Sequence, residues 1–90
     1  MAEFLLEFYL SRLEDAAVEA RAAKARIAAE ELTRQGTPVR YLRAIFIPED
    51  ETCLFLYEAA SADTVREAAL RAGLSFERVA ETLVNPKGAT

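Results

Sequence analysis

The chain has 90 residues, of which 52% are hydrophobic, and a net charge of −4 with no histidine and a single cysteine. That length makes one domain, expected over residues 1–84 with residues 85–90 as a flexible C-terminal tail. Acidic and basic side chains are interspersed without a basic patch, which argues against nucleic acid, and no apolar run approaches the roughly 20 residues of a membrane span.

A domain of this size buries only about 60–65% of its unfolded surface. Much of the hydrophobic fraction is alanine, so the core falls to a few large residues: Phe4, Leu6, Phe8, Ile45, Phe46, Phe55, Leu56, Leu74, Phe76 and Val79. Cys53 has no internal partner for a disulfide, which suits a reducing compartment. The N-terminus lacks the basic start and cleavage site of a signal peptide. A soluble, cytoplasmic protein is expected.

In chain order, residues 2 to 10, AEFLLEFYL, alternate as a strand with Phe4, Leu6 and Phe8 on one face and Glu3, Leu5, Glu7 and Tyr9 on the other. Ser11-Arg12-Leu13-Glu14 has the spacing of a capping box. It predicts a helix to about Arg34 with an inner stripe of Leu13, Ala16 or Ala17, Ala20, Ala23 and Ile27. Gly36 and Pro38 then stop the helix.

Residues 39 to 60, VRYLRAIFIPEDETCLFLYEAA, are two apolar runs around Pro48-Glu49-Asp50-Glu51. A turn there places Ile47 opposite Thr52, Ile45 opposite Leu54, Arg43 opposite Leu56 and Tyr41 opposite Glu58, all on one face, with Leu42, Phe46, Phe55 and Tyr57 on the other. Ser61 caps a second helix whose inner face is Val65, Ala68, Ala69 and Ala72. Gly73 ends it, and a last strand spans Arg78 to Val84 with Val79, Glu81 and Leu83 on the open face.

The order β-α-β-β-α-β is that of an α+β, ferredoxin-like domain: a four-stranded antiparallel sheet with two helices on one face. The uncovered face would carry Leu5, Ile45, Ile47, Leu54 and Leu56, more apolar surface than the few hundred Å² a monomer usually exposes. A second copy packed on it, as a dimeric α+β barrel, is the expected remedy.

With no histidine, the Ser-His and Cys-His catalytic arrangements are excluded, as is the commonest transition-metal ligand. One cysteine cannot build a thiolate zinc site, and the three glycines, Gly36, Gly73 and Gly88, form no phosphate-binding loop. Oxygen chemistry remains. Glu7, Glu58 and Glu81, with Tyr9, Tyr41 and Arg43 among them, are placed together on the open face. Carboxylates on neighbouring strands approach to about 5 Å at Cβ. They fit a hard cation, a carboxyl kept protonated as a general acid, or ion pairs of Arg43 with Glu58 or Glu7 that only tie a dimer together. The turn carboxylates Glu49, Asp50 and Glu51 read mainly as a solvated, aggregation-blocking turn, and Cys53 as a small buried hydrophobe.

The motifs Phe4-Leu5-Leu6-Glu7-Phe8-Tyr9-Leu10, the V-R-Y-L-R run from Val39, the P-E-D-E-T-C turn from Pro48 and Ser61-Ala62 followed by Val65-Arg66-Glu67-Ala68 and Gly73-Leu74 resemble a family of small bacterial proteins described as nickel-responsive or nickel-binding. The resemblance covers nearly the whole chain. It implies a ferredoxin-like fold, a homodimer and a nickel association. Any metal in this chain would rely on Glu7, Glu58, Glu81, the acidic turn or Cys53, because nickel's usual imidazole donors are missing. The leading expectation is a small dimeric ligand- or metal-binding protein with its site on the open sheet face. The alternative is a cofactor-free dimeric α+β barrel enzyme, monooxygenase- or isomerase-like, in which Glu7, Tyr41, Arg43 and Glu58 position a small polar organic substrate.

Overall fold

The computed structural model describes residues 1–83. The last strand ends at Glu81, short of the expected Val84, with Thr82 and Leu83 outside it; Val84 and the tail at 85–90 lie outside the described residues. The elements are β1 (Ala2–Tyr9), α1 (Ala17–Arg34), β2 (Val39–Ile47), β3 (Thr52–Ala59), α2 (Ala62–Arg71) and β4 (Arg78–Glu81). The sheet order is β2-β3-β1-β4, with every neighbouring pair antiparallel. This is the expected ferredoxin-like α+β arrangement.

The core fills the space between the sheet and the helices. Phe4, Leu6 and Phe8 of β1 and Cys53, Phe55 and Tyr57 of β3 meet Ala22, Ala25, Ala29 and Leu32 of α1 and Val65, Ala68 and Ala69 of α2. Aromatic rings meet edge to face here: Phe8 on Phe55 at 4.9 Å, and Tyr41 on Phe55 and Tyr57 at 5.3 and 5.8 Å. Alanines on the helices let them approach this aromatic sheet closely. Tyr57 and Val65 are buried on the inner faces expected of them, Leu10 and Leu32 join the core unforeseen, and Ile45 is 39% exposed on the other face.

Four local expectations are corrected. Ser11 caps only a 3-10 turn, Arg12–Glu14, its hydroxyl accepting from the Leu13 N–H at 3.2 Å. The Arg12 N–H donates instead to the Glu51 carboxylate, 3.1 Å away, from the β2–β3 turn. Second, α1 is rotated relative to the expected stripe: Ala22, Ala25, Ala28, Ala29 and Leu32 are buried, and Leu13 and Ile27 are exposed. Third, β2 carries a bulge. Arg43, Ile45 and Ile47 keep their expected partners Leu56, Leu54 and Thr52, but Leu42 has no cross-strand partner and Tyr41 lies opposite Tyr57. Fourth, β4 aligns Val79 with Leu6 and Glu81 with Phe4, so both sit on the helix side of the sheet rather than the open side.

The start of α2 and the C-terminal ends of both helices are as the sequence implies. The Ser61 hydroxyl accepts from the Thr64 N–H. Gly36 and Gly73 take positive φ, and the Thr37→Leu32 and Leu74→Ala69 backbone bonds close a Schellman turn at each. Thr33 then fastens the end of α1 to β2, its hydroxyl donating to the Val39 carbonyl at 2.8 Å and accepting from the Val39 N–H at 3.0 Å.

Candidate functional site on the open sheet face

Cross-strand partners share a face, so the register lays out the uncovered side as rows. Arg43, Leu56, Leu5 and Ala80 form one row, and Ile45, Leu54, Glu7 and Arg78 the next. Ile47, Thr52 and Tyr9 form the row at one end, and Arg40, Glu58 and Glu3 the row at the other. An apolar strip of Leu5, Leu54, Leu56, Ile45 and Ile47 therefore crosses the middle, with charges at its margins.

Two ion pairs mark those margins. The Arg78 Nε donates to Glu7 Oε1 at 2.8 Å. Arg40 Nη1 lies 3.6 Å from Glu58 Oε1, with the arginine largely in solvent and the glutamate half-buried. Exposed pairs of this kind contribute about 0–1 kcal/mol. The expected pairing of Arg43 with Glu58 or Glu7 is not formed. The bulge turns Arg40 onto the open face, where it takes Glu58, and β4 brings Arg78 opposite Glu7. Neither arginine is placed here by alternation alone, Arg40 because its face depends on the bulge and Arg78 because the register of β4 depends on no local turn.

Of the expected site residues, Glu7, Tyr9, Arg43 and Glu58 are on the open face. Tyr41 is not: its ring packs against Phe55 and Tyr57 on the helix side, and burial pushes its phenol pKa up, with the Cys53 thiol adding to the rise. Glu81 is not either; it is exposed at the sheet edge in register with Phe4. Cys53 is fully buried, and that burial raises its thiol pKa against the opposing pull of Arg21.

The fit to a metal within one chain is poor. The partners of Glu7 and Glu3 on β3 are Leu54 and Glu58, four residues apart, so Glu7 and Glu58 stand about 13 Å from each other along the sheet at roughly 3.3 Å per residue. The acidic turn does approach Glu7, since Glu7, Tyr9, Asp50, Glu51 and Glu77 share a hollow of about 230 Å³ at the rim. There Glu7 is held by Arg78 and Glu51 by the Arg12 N–H. Among the described residues no three histidine, cysteine, aspartate or glutamate side chains are grouped to hold a metal ion. No described helix is long and apolar enough to cross a membrane.

Fold and face together define a small ferredoxin-like α+β domain with an uncovered, apolar sheet face bordered by ion pairs. The chain belongs to the family described as nickel responsive protein SCO4226-like, whose sequence model matches residues 9–82. Among solved structures, it is similar to the crystal structure of SCO4226 from Streptomyces coelicolor A3(2), with a TM-score of 0.73 at 22% identity, covering 93% of this chain and 99% of that one. No curated protein sequence matches.

Proposed function

We propose that the chain is a small cytoplasmic homodimer that binds nickel or another divalent cation on the open sheet face, between two copies. The observation that carries this reading is the apolar strip of Leu5, Leu54, Leu56, Ile45 and Ile47 on a face that no helix among the described residues covers. Membership of a nickel-responsive family supplies the ion. A twofold pairing of this face with itself gives each carboxylate a counterpart from the second copy, which answers the poor fit within one chain. Glu7 and Glu58 are the proposed metal-facing carboxylates, and Tyr9 and Arg43 border the same space. A single buried thiol suits the reducing cytoplasm.

One observation favours a second reading. Arg43 is exposed on this face and has no carboxylate partner among the described residues, which suits a small organic acid as substrate of a cofactor-free enzyme. Calorimetric titration of the metal-free protein with nickel, zinc, calcium and magnesium separates the two. The metal reading predicts saturable heat with nickel that is lost in Glu7→Gln/Glu58→Gln. Absence of heat with all four ions sinks it.

A further inference from the structure

A second concavity lies away from the apolar strip, and its chemistry is the opposite of a cation site. β4 starts at Arg78 opposite Glu7, so the last two residues of β1, Phe8 and Tyr9, have no β4 neighbour. The gap opens into a cleft of about 520 Å³ walled by Tyr9, by Arg21 and Lys24 of α1, and by the α2–β4 loop with Ser75, Phe76 and Glu77. This is within the roughly 300–1,000 Å³ of small-molecule sites.

We propose that this cleft binds a small organic anion carrying an aromatic ring. Its lining holds two cations against one carboxylate, a local excess of positive charge in a chain whose net charge is −4. Arg21 is the half-buried arginine of the described residues; the others are exposed. Its guanidinium carbon sits 5.6 Å from the centroid of the Phe8 ring, a cation–π placement that holds the group in position. Arg40, Arg66, Arg71 and Arg78 each meet a carboxylate. Arg21 and Lys24 meet none among the described residues, although Glu77 lines the same cleft.

A guanidinium taken partly out of water without a counter-ion favours an anion that can supply one, and its planar fork matches carboxylate or phosphate oxygens. The Ser75 and Phe76 amides have no backbone acceptor among the described residues, and both residues line the same cleft. Tyr9 and Phe76 offer ring faces for the body of the ligand. The acidic hollow beside it shares Tyr9 and Glu77 but is lined by carboxylates, so the two concavities sort ligands by charge.

The test is an amide proton–nitrogen NMR titration of the full chain with phenyl phosphate, beside inorganic phosphate and benzylammonium. The expected result is saturable shifts at Arg21, Lys24, Ser75 and Phe76 with phenyl phosphate, at least tenfold weaker binding of inorganic phosphate, and no binding of benzylammonium. Lys24→Gln, at an exposed position, should weaken phenyl phosphate several-fold in a folded protein. Arg21→Gln should weaken it further, with a thermal melt to confirm folding because Arg21 also packs on Phe8. Absence of saturation up to about 10 mM, well above millimolar affinity, overturns the proposal. So does equal binding of inorganic phosphate or benzylammonium, or a Lys24→Gln variant that binds as tightly as the parent.

Discussion

Tyr57 places a phenol oxygen in the core where no described group accepts or donates a hydrogen bond. The side chain is fully buried beneath the helices, and an unsatisfied buried hydroxyl costs about 1–3 kcal/mol. Tyr57→Phe keeps the ring packing against Tyr41 and removes the orphan oxygen. It should leave the protein as stable as the parent or more stable by about 1 kcal/mol in urea unfolding; a clear loss would mean that the hydroxyl has a partner. Burial also raises the Tyr57 and Tyr41 pKa values above their ordinary 10.0. The sign follows from linkage: an unfolded chain releases these protons first, so the stability they contribute is full below about pH 10 and is lost as pH rises beyond it. Tyr57→Phe should therefore flatten the alkaline fall in melting temperature. Of these two tyrosines, Tyr57 lies on its expected face and Tyr41 does not. Glu7, Tyr9, Arg43 and Glu58 were legible as open-face residues from alternation alone, whereas Tyr41 changed sides because one unpaired residue, Leu42, interrupts that alternation.

At the scale of elements, α1 shows why a helix can be foreseen without its orientation. Alanines at 17, 20, 22, 23, 25, 28 and 29 surround its axis, so the apolar pattern does not select one face. The large residues Leu13 and Ile27 suggested a phase, but the aromatic sheet sets another, with Ala25 fully buried and Ile27 56% exposed. Two substitutions distinguish the phases. Ala25→Leu should destabilise by about 1–3 kcal/mol through overpacking, while Ile27→Ala should fall within about 0.5 kcal/mol of the parent in denaturant unfolding. The reverse order would restore the expected stripe. β4 was misplaced for a related reason. A tight turn fixes β3 against β2, but β4 arrives through α2, so no hairpin sets its register. The face of Glu81 and the pairing of Arg78 with Glu7 follow only from tertiary packing.

At the scale of the whole molecule, topology was readable because every element carries its own signal: alternation in β1 and β3, an N-cap at Ser61, glycines at the ends of both helices, and a four-residue turn between β2 and β3. The result is a layer of helices over one side of the sheet and, among the described residues, no element over the other. The uncovered side carries the apolar strip, and Ile45 is 39% exposed within it. Leu56, by contrast, is only 7% exposed, so a charge there would test folding as much as assembly. Ile45 is the cleaner position, because an aspartate at 45 remains hydrated in a monomer and is desolvated only when a second sheet covers it. Closure of this face by a second copy is decided by sedimentation velocity of the parent and Ile45→Asp. The expected result is a parent at twice the 10.0 kDa chain mass and a folded, monomeric variant. A monomeric parent, or an Ile45→Asp protein that remains dimeric, would contradict it.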